Sequence, residues 1–277
     1  MRIPADDRSL PFVPVLVAGA PRSGTHFLHA LICTSASTNP FIPEYHYLYH
    51  LVSAYVQALH MFGVGSDSAF PSAAAFAEHH FRHVRETLRQ GWRTVGSPSA
   101  FTFKHCSLTP HIELLAEHVP DMRFVVIVRD PRDAMASFVR AVRKQSGQAD
   151  LLPMPLIEKG IDIFNAYYGH VIAVAAGDAA GRLLCVRYED LVAGKGIERL
   201  RRFLGFPDID PDRLWQRASF DIGADYKDFH MFSELWGKPL SSDNVGRYAE
   251  VLPHDIAEMV KERTGTIDLL FGTLTGE

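Results

Sequence analysis

The 277-residue sequence has little of several things that would place it at once. It has only three cysteines, Cys33, Cys106 and Cys185, far apart and each in an apolar context. That excludes a disulfide framework and a CxxC metal site, and predicts three reduced core thiols. Positive charge is not in surplus: 28 Lys and Arg against 32 Asp and Glu leave a net charge of −4. Wholesale binding to a polyanion such as DNA is excluded on that ground, so no nucleic-acid partner is expected and any basic site must be local. No apolar run reaches the ~18 residues of a membrane span. Internal repeats and low-complexity tracts are lacking too. Arg2, Arg8 and the run from Leu10 to Val17 loosely imitate a secretory signal, but Asp6, Asp7, Pro11 and Pro14 interrupt it. The expectation is a cytoplasmic protein, large enough to bury its core without a metal or disulfide staple.

What is present is alternation. Four segments read as buried strands: 11–19, 99–106, 122–130 and 182–190. The first, third and fourth carry continuous Val, Ile, Leu or Phe, as in a parallel sheet covered on both faces. Helical patterns separate them, at 24–35, 45–61, 73–90, 109–118, 131–145, 156–176 and 194–204. The segment 237–246 reads as a flexible loop and 253–263 as a closing helix. The expected fold is α/β, a three-layer sandwich with a central, mainly parallel sheet flanked by helices, similar to P-loop nucleotide-binding proteins. It should form one domain over 1–277. Each strand ends in polar residues: Arg22 and Ser23, Lys104 and His105, Arg129 and Asp130, then Tyr188, Glu189 and Asp190. Open α/β sheets bind ligands beyond the carboxyl ends of their strands, so these groups should meet in one crevice.

Two of those strand ends carry anion-binding chemistry. In VPVLVAGAPRSGTHFL, residues 13–28, Gly19 and Gly24 allow a tight turn and Ser23 to His26 begin a helix. The free N–H groups and positive dipole end of that helix attract an anion, and Arg22 adds a charge able to bind in bidentate fashion. A nucleoside-triphosphate loop would continue after its second glycine with Lys and Ser or Thr. Here Thr25 and His26 stand there, so the γ-phosphate lysine and the magnesium hydroxyl are both missing. In IVRDPRDAMASFVR, Arg129 ends a strand, Pro131 opens a helix, and Ser137 lies one turn beyond Asp133 on the same face. Arg129 and Ser137 together suit a second phosphate.

These two stretches, with LCVRYEDLVAG…RRFLGF and NVGRY (244–248), resemble the sulfotransferases that use 3′-phosphoadenosine 5′-phosphosulfate. The resemblance extends from about residue 15 to 250, nearly the whole chain. It implies that the amides around Ser23, Gly24, Thr25 and His26, with the Thr25 hydroxyl, hold the 5′-phosphosulfate and that Arg22 stands beside the transferred group. It implies further that Arg129 and Ser137 hold the 3′-phosphate, that Tyr188 lies near the adenine, and that Arg247 lies near the 3′-phosphate. Such enzymes need no metal, and their product from the donor is adenosine 3′,5′-bisphosphate. Substrate-side insertions in such folds fall between the motifs, here as helices around 45–98.

The acceptor, expected to be a hydroxyl (less readily an amine) of a small molecule or carbohydrate, needs a general base. Glu44 and His105 are the catalytic candidates beside Arg22, with His26 and His46 behind them. Some relatives place a Glu at about the position of Glu44, others a His after Lys-x; here the order is Lys104-His105. Alternation along a strand turns neighbours to opposite faces, which ranks Glu44 ahead of His105. Tyr45, Tyr47, Tyr49 and Tyr55 crowd the region after Glu44, either as core or as an acceptor-stacking surface. Arg82, Arg85, Arg89 and Arg93 read as a solvated helix face. A small-molecule kinase and a non-catalytic nucleotide-binding protein of the same fold remain the alternative readings. The sequence carries no readable signal of oligomeric state.

Overall fold

The four apolar runs become the strands of one parallel sheet. The computed structural model describes residues 8–64, 69–219 and 237–265. In it β1 (Val13–Ala18), β2 (Ala100–Lys104), β3 (Arg123–Val128) and β4 (Leu183–Arg187) lie in the order β2-β1-β3-β4. All three pairings are parallel, with Val15 opposite both Thr102 and Arg123, and Phe124 opposite Leu183. Around them run α1 (Thr25–Ile32), α2 (His46–His60), α3 (Ala73–Thr94), α4 (Ile112–His118) and α5 (Pro131–Ser146). Then follow α6 (Met154–Ala176), α7 (Tyr188–Val192), α8 (Ile197–Leu204) and α9 (His254–Arg263).

Strand alternation sorts the core into two layers. Leu16, Phe103, Phe124 and Val126 face one side, packed with residues of α2 to α6 and α9. Val15, Val17, Val125 and Ile127 face the other, packed with α1, α7 and α8. Both faces of the sheet are therefore dry, which is why β1, β3 and β4 carry no polar alternation. Among the described residues no helix is long and apolar enough to cross a membrane. The three cysteines are free; Cys33 and Cys185 are buried, and burial pushes the Cys185 thiol up to about 12.

The helices match their expected spans to within a few residues, but several local expectations fail for identifiable reasons. β4 stops at Arg187, and Tyr188 opens α7 instead of ending the strand. β2 stops at Lys104, where a 3₁₀ turn (Cys106–His111) containing Pro110 takes over ahead of α4. The solvated basic face on α3 does not include Arg85, which is 1% exposed and held by Glu78 and the carbonyl of His118. Arg93 does lie outward, paired with Glu86, whereas Arg89, with its side chain 15% exposed, also donates to the Ser9 carbonyl. Segment 237–246 runs without regular structure, as expected. The N-terminal signal-like features at Arg2, Asp6 and Asp7 lie outside the described residues.

β1 and β3 are neighbours whose outgoing connections lead to opposite edges of the sheet, the arrangement that opens a crevice at the strand ends. The loop from Gly19 to Gly24 fills the rear of this crevice. A Cβ on Gly19 would stand 2.6 Å from the Ile127 carbonyl, and one on Gly24 would stand 2.6 Å from the Tyr188 ring. Both glycines also have positive φ, +145° and +96°. From below, the fully buried hydroxyl of Tyr168 on α6 donates to the Ile127 carbonyl at 2.8 Å and accepts from the Ala20 amide at 3.3 Å. It shares a third hydrogen bond with Ser23 Oγ at 3.1 Å. Tyr168→Phe should therefore destabilise the protein by about 1–3 kcal/mol, because three buried polar partners lose one shared group. Urea unfolding of the variant checks this; an unchanged midpoint would mean the loop does not depend on the tether.

Candidate active site

Six side chains converge on one flank of the loop. Lys104, the last residue of a fully buried strand, is 1% exposed, and its Nζ meets Glu44 Oε1. The same Nζ lies 3.0 Å from both ring nitrogens of His26 on α1. His105 follows directly; its Nε2 stands 3.1 Å from His46 Nδ1 and 3.7 Å from Glu44 Oε2. Tyr49 of α2 stacks flat on the His105 ring, with centroids 4.6 Å apart and planes 7° from parallel. Alternation would have turned Lys104 and His105 apart. It does not apply, because the strand ends between them and the 3₁₀ turn brings both to Glu44. Glu44 and His105 are thus members of one cluster, and the geometric ground for ranking one over the other disappears.

The electrostatics follow from burial and the single buried ammonium. Burial by itself would raise Glu44; the charge and hydrogen bond of Lys104, helped by His105 and His46, outweigh it and leave the carboxyl below its ordinary value. Burial also pulls His105 down to about 4 against the opposing pull of Glu44, so its imidazole is neutral at physiological pH. His26 is held well below its ordinary value by burial and then by Lys104. An ionised Glu44 carboxylate and a neutral His105 imidazole, whose Nε2 faces Glu44 Oε2, therefore share a partly open site. A proton from a bound hydroxyl has somewhere to go.

The opposite flank is a concentration of guanidinium. Arg22, itself at φ +71°, directs its Nε and Nη2 to Ser137 Oγ, each at 3.1 Å. Arg129 donates to the Arg22 carbonyl and to the Asn244 carbonyl, and lies over the Tyr188 ring at 4.5 Å. Arg140, one turn beyond Ser137 on α5, completes the group. Burial lowers Arg22 to about 10, with the neighbouring charges of Arg129 and Arg140 adding to the effect. Arg129 Nε and Arg140 Nη1 are buried without a hydrogen-bond partner. The nearest acids are committed elsewhere: Asp133 accepts from the amides of Gly246 (2.8 Å) and Tyr248 (2.9 Å), and Glu250 accepts from Arg247 Nε (2.9 Å). Like charges with idle donors in a buried place call for a multivalent anion.

Beside the guanidinium flank a cleft opens over the start of α1. Arg22, Gly24, Thr25, His26, Arg129, Ser137 and Tyr188 line it, whereas Ser23, Glu44, His105 and Arg247, also expected at the site, do not. The first helical amide with an in-register acceptor is Leu28, bonded to Gly24 O, and no side chain caps the helix. The amides at its start therefore face the cleft region as donors. Ser23 is fully buried, its hydroxyl turned to Tyr168. Asp130 and Glu189 turn away from the cleft, the Asp130 amide donating to the Glu189 carboxyl at 2.9 Å. Arg247 is paired with Glu250 and lies near enough to depress Arg140.

Sequence reasoning missed four parts of this site. Lys104 was visible only as a polar residue ending a strand. Arg140 was hidden in a charged helix face, and its signal is its three-residue spacing from Ser137. The third and fourth parts are an apolar wall, Phe27, Leu214, Trp215 and Leu240, and the clasp that brings part of it in. That clasp is Arg217, which donates to the carbonyls of Cys33, Ser35 and Thr38 and so fastens 214–218 beside the end of α1. The aromatic cluster after Glu44 divides: Tyr55 is core, Tyr45 Oη donates to the Thr87 carbonyl, Tyr49 supports His105, and Tyr47 is exposed.

Comparison with known proteins bears on this geometry. Residues 14–211 match the Sulfotransferase family. Among curated proteins, none matches the sequence. Similar solved structures include the sulfotransferase domain from the curacin biosynthetic pathway, at 15% identity and a TM-score of 0.59, covering 92% of this chain and 98% of that one. The sulfotransferase domain of the Synechococcus PCC 7002 olefin synthase has 16% identity and a TM-score of 0.55, covering 94% and 96%. A Mycobacterium avium sulfotransferase has 14% identity and a TM-score of 0.52, covering 97% and 78%. At such identities the likeness speaks to the fold, and the site must be argued from its residues.

The Lys104–Glu44 pair makes a prediction independent of any reaction. The folded carboxyl lies below its ordinary value, so the stability it draws from Lys104 is complete above the ordinary carboxylate range. That stability is lost as pH falls through the lowered value. In Lys104→Met, burial acts without the compensating charge and the Glu44 carboxyl should titrate above its ordinary value. Carbon-13 NMR of the glutamate carboxyls across pH reads this out, and an unmoved Glu44 resonance would show that Lys104 does not set its charge.

Proposed function

This chain belongs to the sulfotransferase family, and from that premise we propose that it moves a sulfuryl group from 3′-phosphoadenosine 5′-phosphosulfate to a hydroxyl of a small-molecule or carbohydrate acceptor. The observation that carries the choice of donor is the arginine cluster. Arg129 Nε and Arg140 Nη1, buried without partners beside Ser137, fit a phosphate whose oxygens would take up both. The start of α1 fits a second phosphate, and the slot between Tyr188, Phe27 and Trp215 fits a flat base. A molecule with two separated phosphate groups on one nucleoside meets all three demands. In this reading Arg129, Ser137 and Arg140 hold the 3′-phosphate, with Arg247 beside them. Ser23, Gly24, Thr25 and His26 form the 5′ cradle. Arg22 moves from Ser137 toward the cradle or bridges the two.

When bound, the donor supplies a sulfuryl group whose bond to the 5′-phosphate oxygen breaks as the bond to the acceptor oxygen forms. Such loose transfers depend on positioning and on charge placed where it develops. Lys104 keeps a fixed positive charge beside the loop while holding Glu44 ionised. Glu44 Oε2 and His105 Nε2 are the two groups able to accept the acceptor's proton, and Tyr49 keeps the His105 ring from turning. The helical pair α2 and α3, within the expected insertion of 45–98, supplies His46 and Tyr49 and so borders the acceptor side. Nothing in this scheme uses a metal ion.

Calorimetric titration with adenosine 3′,5′-bisphosphate, with and without magnesium, and with ATP as competitor, tests the donor. Metal-independent preference for the bisphosphate is expected; preference for magnesium ATP would overturn the reading in favour of a kinase. Ser137→Ala and Arg140→Ala should each weaken bisphosphate binding roughly 10-fold or more, the loss of a charge-assisted contact of about 1.5–3 kcal/mol. Glu44→Gln should bind the bisphosphate as the native chain does yet lose turnover by about 10²–10⁴-fold. Full turnover in that variant would transfer the proton-accepting role to His105. Binding in the native chain without transfer to any screened acceptor would favour a non-catalytic nucleotide-binding protein.

A further inference from the structure

The two proton acceptors also belong to a trio with a different chemistry. Glu44, His46 and His105 each offer one ligating atom, and these atoms all lie within 4.8 Å of one another. We propose that this trio is a binding site for a divalent first-row transition ion, zinc by preference, and that filling it blocks both proton acceptors. The spacing carries the argument. An ion about 2.0–2.1 Å from each of three ligands at tetrahedral angles needs those ligands ~3.3 Å apart. Here His105 Nε2 is 3.1 Å from His46 Nδ1 and 3.7 Å from Glu44 Oε2, and one atom from each of the three residues lies within 4.8 Å of the other two. Side-chain movement of about an ångström, chiefly of the exposed His46 ring, closes the site.

The surroundings favour it. Two imidazoles and a carboxylate are a donor set suited to zinc, and three protein ligands leave the fourth position for water or an acceptor oxygen. Lys104 engages only Oε1 of Glu44, leaving Oε2 for the ion; ligating carboxylates are commonly steadied by such a partner. Tyr49 fixes the His105 ring from one side. The other nitrogen of that ring, Nδ1, is buried without a partner, so His105 reaches this cluster through Nε2 alone. His46, the first residue of α2, has a side chain 66% exposed and gives an ion its way in. The site itself rests only on this geometry. That its occupancy stops catalysis rests on the function proposed above, because zinc would take the lone pairs of Glu44 Oε2 and His105 Nε2 that are to receive the acceptor's proton.

The test keeps the two apart. Purified full-length chain, stripped with a chelator and free of nucleotide, is titrated with cobalt(II) and followed by visible absorption. One equivalent with the intense bands of a four-coordinate ion, displaced by zinc, is expected. His46→Ala, a change at an exposed position, should weaken zinc binding by calorimetry at least tenfold. No such bands, or unchanged affinity in His46→Ala, would overturn the site. Zinc should then slow sulfuryl transfer by the native chain more than tenfold, and far less in His46→Ala, each measured against its own metal-free rate. Zinc that binds without slowing transfer would overturn the block. A metal-free chain that transfers nothing would instead count against the proposed function alone.

Discussion

The loop after β1 has room for backbone and for nothing else. Ile127's carbonyl stands where a side chain on Gly19 would begin, and the Tyr188 ring stands where one on Gly24 would begin. This contact locks the ends of β1, β3 and the start of α7 together, and the rest of the site is placed by it. It aims α1 so that its open amides face the cleft. It also sets Arg22 against Ser137 on α5 and holds His26 against Lys104. Tyr168 supports the same junction from α6, with one hydroxyl serving β3 and the loop at once.

Charge is divided across that junction in a way the net balance of the chain conceals. On one flank Arg22, Arg129 and Arg140 crowd together, with Asp133 spent on the backbone of 246–248. On the other a single ammonium, Lys104, faces a single carboxylate beside His26 and His105, whose rings burial keeps neutral. The first arrangement is unfavourable until an anion arrives, and so it is suited to binding. The second already pairs its ammonium with its carboxylate and leaves lone pairs accessible, and so it is suited to accepting a proton or a metal ion. An unliganded protein bears the cost of the first flank through burial of its core on both faces of the sheet.

Much of this was legible in the letters. The four strands and all the described helices but α7 follow from apolar runs, helical periodicity and cap residues such as Pro131 at the first turn of α5. The glycine spacing located the turn, and the strand-end rule gathered Arg22, Arg129, Ser137 and Tyr188 into one cleft. The failures have common causes. His105 was turned away from Glu44 because an apolar run does not announce its last residue, and a strand that ends one position earlier reverses which neighbours share a face. Arg85 was assigned to water because a charged residue on a charged helix looks the same whether its partner is solvent or Glu78.

The sequence by itself determined the sheet, the phosphate-type turn and the side chains that border it. Each of these is written within a stretch of some ten to twenty residues, where chain geometry alone dictates the outcome. Only the tertiary structure decided that Glu44 and Lys104, sixty positions apart, would neutralise each other. It alone decided that His46 would meet His105, that Arg140 would join Arg22, and that Trp215 would wall the cleft. Those contacts come from different elements, and their formation depends on how helices settle on a sheet. That settling is governed by burial summed over the whole core, which no local pattern records.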